Sequence, residues 1–292
     1  MKKCFPGSLG DTGRARLYLK ARRFIIYIVM FFLFLLALVP IYIMLVNSTR
    51  STVQINNGLS LIPGGNIVHN WKALTSQQGF DITKGFLNSA FIAVFATLCT
   101  VYFSSMTAYG LHVYRFKGRL FLWGLILLVM MLPASLSFIG FYKFMARLQL
   151  LDNYIPLILP AIASGATVLF LRQYMSAVLS LELIDAARID GAGEYGIFNR
   201  IILPVLAPAL ATQAIFAFVG SWNNFFAPFI FISSAGKYTL PMLVQSLRAG
   251  YYRTEYGGIY LGLTISIVPI LIFYSLMSRF IISGLTLGSI KE

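Results

Sequence analysis

The sequence has 292 residues, of which 58% are hydrophobic and only 11% are charged. A soluble domain carries about 25% charged residues, so this composition excludes an ordinary soluble protein and predicts an all-α protein that crosses a membrane several times. The net charge of +14 would suggest nucleic-acid binding in a soluble chain. In a membrane protein it is first a topological signal, because cytoplasmic loops collect Lys and Arg.

The first 23 residues form a basic tail, and the apolar run at 24–46 follows it directly. This run is too long for the core of a signal peptide, and no cleavage site of the small-x-small type follows it. We therefore predict a retained first membrane helix at 24–46, preceded by a cytoplasmic tail at 1–23.

Six apolar segments are long enough to cross about 30 Å of hydrocarbon; they are 24–46, 87–110, 120–141, 155–176, 206–232 and 259–282. Six spans place both termini on one side, and that side carries 15 of the 23 Lys and Arg residues. The excess predicts that both termini are cytoplasmic. The 177–204 region would then be cytoplasmic too, and the loops at 47–86 and 233–258 would be exported.

One charged stretch, ELIDAARIDGAGEYGIFNRIILP at 182–204, interrupts the apolar chain. It contains four of the nine acidic residues, which are Glu182, Asp185, Asp190 and Glu194. So much charge between two membrane segments indicates a segment with a function of its own.

The same stretch has the signals of two short helices joined by a turn. Ser180 can cap a helix that begins at Leu181, and Gly191 stands where a left-handed residue would end it. Gly193 and Glu194 can open a second short helix, which runs through Phe198 and Ile201, and Pro204 marks its exit. Helices this short are marginal alone, so we expect a docking partner.

The contacts with that partner can be assigned from helical spacing. Leu183, Ala186, Ala187 and Asp190 fall on one face by the three-and-four rule. The paired alanines would let the partner approach closely. The predicted apolar anchors for the partner are Leu183, Phe198 and Ile201.

The segment DAARIDGAGEYGIFNRIILP resembles the "EAA" loop of the membrane subunits of ABC importers. In that pattern EAA is followed by three residues, Gly, nine residues and Ile-x-Leu-Pro. The matching residues are Asp185, Ala186, Ala187, Gly191, Ile201, Leu203 and Pro204. The one departure is Asp in place of Glu at 185, which keeps the charge and shortens its reach.

Two more stretches resemble the carbohydrate branch of these subunits, the maltose-type permeases. SWNNFFAPFIF at 221–231 is similar to a Trp-Asn signature in the fifth helix, although the family often has Glu where Asn224 stands. SGLTLGSIKE at 283–292 is similar to the Gly-Leu-Thr-x-Gly tail of one maltose-type subunit. The resemblance covers 24–292.

The resemblance implies the type I fold of ABC importer permeases, with six membrane helices. The shared core would be 87–283, including a cytoplasmic coupling loop at 181–204, and a cytoplasmic tail would follow at 284–292. The implied partners are a second, homologous permease subunit in a heterodimer, two ATPase subunits and a solute-binding protein. ATP and Mg would lie on the ATPases.

The resemblance also implies roles for individual residues. Those coupling the chain to an ATPase would be Leu183, Asp185, Ala186, Ala187, Asp190, Gly191, Phe198, Ile201, Leu203 and Pro204. Tail contacts with the ATPase pair would come from Gly284, Leu285, Thr286 and Gly288. The exported loop would meet the binding protein through Lys237, Arg248, Tyr251, Tyr252 and Arg253. Trp222, Asn223 and Asn224 would either line the translocation path or join helices by hydrogen bonds.

The residues predict no catalytic, cofactor or metal site on this chain. Its Gly236-Lys237 pair is followed by Tyr238 instead of Ser or Thr, so it is not a phosphate-binding loop. His69 and His112 are isolated and have no partners at metal-ligand spacing. ATP hydrolysis is therefore expected in separate subunits, and this chain is not expected to be an enzyme.

Three alternatives remain beside a permease for a sugar or oligosaccharide. The first is an ABC permease for another solute, such as a polyamine or phosphate. The second is an ion-gradient transporter, which would normally need acidic residues inside its spans. The third is a membrane scaffold, which would not need the EAA spacing. For a sugar permease, the charge of the 233–258 loop is relevant to the substrate. The loop contains Lys237, Arg248 and Arg253 but only one acidic residue, Glu255, and this excess of positive charge would favour an acidic substrate.

Overall fold

The structure is a computed structural model that describes the backbone of residues 9–75, 81–246 and 255–288. Within these ranges it describes all side chains except those of residues 9–18, 21, 134–137 and 281–288. No strand occurs among the described residues, in agreement with the predicted all-α class.

The helices follow the apolar segments in chain order. They are α1 (Leu9–Asn47), α2 (Thr52–Asn56), α3 (Ile67–Thr75), α4 (Ile82–Val113), α5 (Arg119–Met131), α6 (Ala134–Arg147), α7 (Ile155–Ile158), α8 (Gly165–Val178), α9 (Leu181–Ile189), α10 (Glu194–Ile197), α11 (Leu203–Val205), α12 (Ala207–Trp222), α13 (Phe226–Phe231), α14 (Leu240–Ser246) and α15 (Tyr256–Gly288). Leu159–Ala163 and Ala235–Lys237 form 3₁₀ turns, and Phe198–Ile202 forms a π turn.

Four described helical segments are long and apolar enough to cross a membrane, which is fewer than the six predicted. They are Arg22–Asn47, Ile82–Val113, Ile155–Val178 and Tyr256–Phe280. A fifth candidate is the pair Glu194–Val205 and Ala207–Trp222, whose axes differ by 81°. The first helix begins at Leu9 and therefore includes part of the basic tail.

The predicted span at 120–141 is broken. Helix α5 has 13 residues and ends before Leu132, which is extended at φ −75° and ψ 134°. Pro133 follows and disfavours a helical conformation for the residue before it, and α6 then starts at Ala134. Helix α5 alone is only about 20 Å long at 1.5 Å per residue, so its apolar composition does not make it a full span.

The contacts divide the chain into two units, and the first contains Met1–Trp71 and Glu255–Thr264. Its centre is Arg50, which is 8% exposed and donates to Asn47 Oδ1 at 3.0 Å and to the Gly58 carbonyl at 3.1 Å. Asn70 donates to the Arg50 carbonyl at 3.0 Å. A Cβ on Gly257 would lie 2.3 Å from Asn70 Oδ1, so only glycine fits there.

The second unit contains Lys72–Thr254 and Ile265–Glu292, and helix α4 is at its centre. Helix α4 packs against α12, α8, α7, α14 and the 3₁₀ turn at Leu159–Ala163. It buries mostly small side chains, including Ala93, Ala96, Thr97, Ser104 and Ala108. Small residues let helices approach closely where no water drives them together. Helix α4 therefore supports the segments that pack against it, including the charged stretch at 182–204, which contacts α4 through Tyr109.

Candidate functional site

The charged stretch folds as the helix–turn–helix that its sequence predicts. Helix α9 begins at Leu181, and Ser180 Oγ accepts a hydrogen bond from the Glu182 amide at 3.2 Å. Gly191 has φ +80°, and its amide donates to the Arg188 carbonyl at 3.0 Å. A second leg then runs through α10, the π turn and α11. We call residues 181–204 the hairpin.

One side of the hairpin is buried against the rest of the second unit. Ile184 and Ala187 of the first leg, with Ile197, Phe198 and Ile202 of the second, share a core with residues of α4 and α8. Phe198 is 2% exposed and meets Tyr102 and Tyr109 edge-on or tilted at 5.8 and 5.5 Å.

The structure places two of the predicted docking residues in this chain's own core. The sequence predicts Phe198 as an anchor for a partner and Ala187 as a point of close approach, but both face this chain's own core. Ile201 and Leu203 are half-buried against the same core. These residues hold the hairpin to its own bundle.

The opposite side of the hairpin is exposed and partly apolar. The predicted residues Leu183, Asp185, Ala186 and Asp190 lie on this side. So do two large residues that the sequence reasoning missed: Ile189 is 86% exposed and Tyr195 is 67% exposed. Ile189 follows Ala186 by three residues, so the helical spacing that selected Ala186 could have identified it.

The charges of the stretch form a network that ties the two legs together. Arg188 Nε donates to Glu194 Oε1 at 2.7 Å, and its Nη1 donates to Asp185 Oδ1 at 3.0 Å. The bond to Glu194 raises the pKa of Arg188 above its ordinary value, so the guanidinium stays charged. Much of the charge in this stretch therefore has a structural role, because Arg188 links Asp185 in the first leg of the hairpin to Glu194 in the second.

Glu194 also fastens the hairpin to the end of α4. Its Oε2 accepts hydrogen bonds from the hydroxyl of Tyr114 and, at 3.4 Å, from that of Tyr109. Burial and this bond raise the pKa of Tyr114, which keeps its hydroxyl protonated and able to donate. A second tie joins Tyr102 Oη to Tyr195 Oη at 2.9 Å. Nothing in the sequence connects Tyr114 with Glu194, which follows it by 80 residues.

Residues 101–286 match the family model for the "binding-protein-dependent transport system inner membrane component". That match covers more than half of the chain. The chain belongs to this family. It is a membrane component of a transport system, as the EAA-like spacing predicted.

Individual members of the family are similar over most of their length. The chain is 38% identical over 263 residues to the arabinooligosaccharides transport system permease protein AraQ of Halalkalibacterium halodurans, which covers 89% of this chain and 93% of that protein. It is 33% identical over 256 residues to the lactose transport system permease protein LacG of Rhizobium radiobacter, covering 88% and 92%.

A solved structure has the same fold. A chain in the crystal structure of a bacterial ABC transporter involved in the import of the acidic polysaccharide alginate superposes with a TM-score of 0.73. The alignment covers 94% of this chain and 99% of that chain at 22% identity. The described helices therefore have the fold of an ABC importer permease.

In this permease fold, the three residues predicted for a translocation path occupy different environments. Trp222 is 1% exposed, and its indole N–H donates to the Ser266 carbonyl at 3.0 Å. Asn223 and Asn224 are exposed at the break between α12 and α13, where Asn224 Oδ1 accepts from the Ala227 amide at 3.2 Å. Trp222 thus packs the core, and the two asparagines mark a helix break instead of the middle of a span.

The predicted contacts with a binding protein are only partly described. Arg248, Tyr251, Tyr252 and Arg253 lie outside the described residues. Lys237 Nζ is 2.9 Å from Asp152 Oδ2, and Asp152 also accepts from the amides of Ser233 and Ser234 at 3.0 and 2.9 Å. Hydrogen bonds from Ser234 and Lys237 lower the pKa of Asp152, so its charge offsets that of Lys237.

The described part of the tail is helical. The backbone at Gly284, Leu285, Thr286 and Gly288 continues α15 as a helix, and their side chains lie outside the described ones. Among the described residues, no three His, Cys, Asp or Glu side chains lie close enough to hold a metal ion.

Proposed function

We propose that this chain is one permease subunit of an ATP-driven, binding-protein-dependent importer of a sugar or oligosaccharide. It forms half of the translocation path with a second, homologous permease subunit. Two ATPase subunits hold ATP and Mg, and a solute-binding protein delivers the substrate. The hairpin seats in one ATPase and couples its movement to the path, and the tail at 284–292 contacts the ATPase pair.

The observation that carries the coupling role is the two-sided hairpin. Its inner side is packed in this chain's core and braced by Glu194, so it moves with the bundle. Its outer side leaves Ile189 and Tyr195 largely exposed and Leu183 partly exposed, and a contiguous exposed apolar surface is typical of a site that binds a partner. A coupling element needs both properties: one side packed firmly against its own subunit and another side that can bind the ATPase.

The carbohydrate assignment is supported by two relatives whose names specify arabinooligosaccharides and lactose. The Trp222-Asn223 signature and the tail at 283–292 support the same branch. The case for an acidic substrate is weaker than the sequence indicates, because Asp152 already pairs with Lys237. We therefore propose an oligosaccharide without specifying its charge.

The experiment for the transport role is uptake of labelled arabino-oligosaccharides and lactose by cells that carry or lack this chain. We expect deletion to abolish uptake of at least one oligosaccharide, and the chain supplied in trans to restore it. A polyamine and inorganic phosphate serve as comparison solutes. Loss of uptake of only these two would contradict the carbohydrate assignment and retain the importer.

We also propose that six segments cross the membrane, with both termini in the cytoplasm. The third crossing would use α5 and α6 across the break at Pro133, and the fifth would use α12 and α13, which follow the bend at Leu206. The excess of Lys and Arg near the termini and at 115–119 supports this orientation.

Cysteine labelling tests the orientation. In a chain whose Cys4 and Cys99 are replaced by alanine, Ser60→Cys and Gln245→Cys should react with an impermeant maleimide added outside intact cells. Asp190→Cys should react only after the membrane is opened. Labelling of the 190 position from outside would place the hairpin on the wrong side for an ATPase.

A further inference from the structure

A group of basic side chains lies at the turn between α4 and α5 and on the neighbouring helix α8. It consists of His112, Arg115, Lys117, Arg119 and Arg172. Arg172 of α8 stacks on Trp123, which lies one helical turn after Arg119 on α5. None of the five forms an ion pair with a described acidic residue. Like charges held this close repel one another, so an anion would stabilise the group.

Two of the three arginines in this group are held in place. The Arg172 guanidinium stacks over the ring of Trp123, with Cζ 4.0 Å from the ring centroid. Arg119 Nη1 donates to the Tyr114 carbonyl at 3.4 Å. Arg172 stacked on Trp123 keeps its N–H donors free for a ligand.

An apolar groove of about 380 Å³ adjoins the basic group. It lies between the last turns of α4 and the first two turns of α5, and its lining includes Leu111, Tyr114, Phe116, Leu122, Leu125 and Ile126. The groove and the basic group meet at Tyr114. This residue lines the groove, and its carbonyl accepts a hydrogen bond from Arg119.

The geometry points to a binding site for one phospholipid with an anionic headgroup. The phosphate would lie against Arg119 and Arg172, and an acyl chain would occupy the groove. Basic pockets between membrane helices are suited to such headgroups, and Trp123 is a residue type enriched at the membrane–water interface. A soluble anion would use the arginines and leave the groove empty. This inference needs the membrane location of the family and does not depend on the proposed substrate.

The site is connected to the hairpin through Tyr114. Tyr114 lines the groove, and its hydroxyl donates to Glu194. A lipid in the groove would therefore contact Tyr114, whose hydrogen bond to Glu194 holds the hairpin in place.

Native mass spectrometry of the complex purified with this chain tests the site. Phosphatidylglycerol and phosphatidylcholine are titrated in detergent, and retention of each lipid is measured. We expect Arg119→Gln/Arg172→Gln to weaken retention of phosphatidylglycerol about tenfold, since each basic residue near an anionic headgroup contributes on the order of a several-fold preference. Retention of phosphatidylcholine should not change.

Two further variants separate charge from the groove. Arg22→Gln/Arg23→Gln removes the same charge from exposed positions on α1 and should bind phosphatidylglycerol like the native chain. Gly110→Leu keeps all charges and fills the groove, where a new side chain at Gly110 meets nothing within 4 Å. It should also reduce retention.

Three results would overturn the assignment. Equal retention of the two lipids by the native chain would remove the headgroup preference. Competition by soluble glycerol phosphate as strong as by the intact lipid would assign the arginines to a soluble anion. Loss of a protein subunit from Arg119→Gln/Arg172→Gln, with lipid retained, would assign the surface to an acidic protein partner.

Discussion

Replacing Gly191 by valine is expected to leave the membrane helices intact and to lower coupled transport about tenfold. Gly191 has φ +80°, and a left-handed conformation costs a residue with a Cβ about 1–2 kcal/mol. Space is not the obstacle, because a Cβ there would meet nothing within 4 Å. The turn would therefore rearrange and redirect the second leg of the hairpin. Substrate-stimulated ATPase activity and uptake in reconstituted vesicles measure the loss.

The hairpin offers two matched variants for this result. Gly193→Val introduces the same side chain two residues later, where the backbone is extended at φ −69° and ψ 150° and a Cβ also meets nothing. It should retain most of the transport. Gly191→Asn should be intermediate, because Asn tolerates the left-handed region. Native uptake by Gly191→Val, with normal recovery of the complex, would remove the coupling role from this turn.

Replacing Glu194 by glutamine is expected to lower coupled uptake about fivefold, because it loosens the hairpin from both its own first leg and α4. The carboxylate accepts from Arg188, Tyr109 and Tyr114. Charge-assisted hydrogen bonds are worth about 1.5–3 kcal/mol. The Arg188 and Glu194 side chains are 36% and 46% exposed, so solvent screens part of their attraction.

Glu182→Gln is the control, since it removes one carboxylate charge from an exposed position in the same hairpin. It should transport like the native chain. A double variant with Arg188→Gln should lose less than the sum of the two single losses, because both act on one bond. Additive losses, or equal losses in Glu182→Gln, would mean that the net charge of the hairpin matters and the brace does not.

Local chemistry explains how much of the hairpin could be predicted from the sequence. A Ser cap, a glycine at the left-handed position and the restart at Glu194 depend on neighbours within a few residues, and the structure confirms all three. The apolar segments were predictable for a similar reason, because span length is a property of a continuous run. The family followed from the spacing of Asp185, Gly191 and Pro204, which is also local.

The break at Pro133 and the sharp bend at Leu206 were harder to predict. Both residues lie next to or within apolar runs, and hydropathy is insensitive to the direction of a helix. Pro133 was visible in the sequence, but a proline inside a membrane helix can equally leave a kinked, continuous span. Hydropathy therefore does not distinguish a broken span from a kinked one.

The sequence by itself determined the membrane class, the order of the helices, the turn at Gly191 and the family, because these depend on composition and short-range spacing. Only the tertiary structure decided that Phe198 and Ala187 face inward while Ile189 faces outward. It also decided that Glu194 binds Tyr114, that Asp152 binds Lys237 and that Arg172 stacks on Trp123. Each of these contacts joins residues that are distant in sequence, and helical periodicity defines a face without specifying which neighbour will cover it.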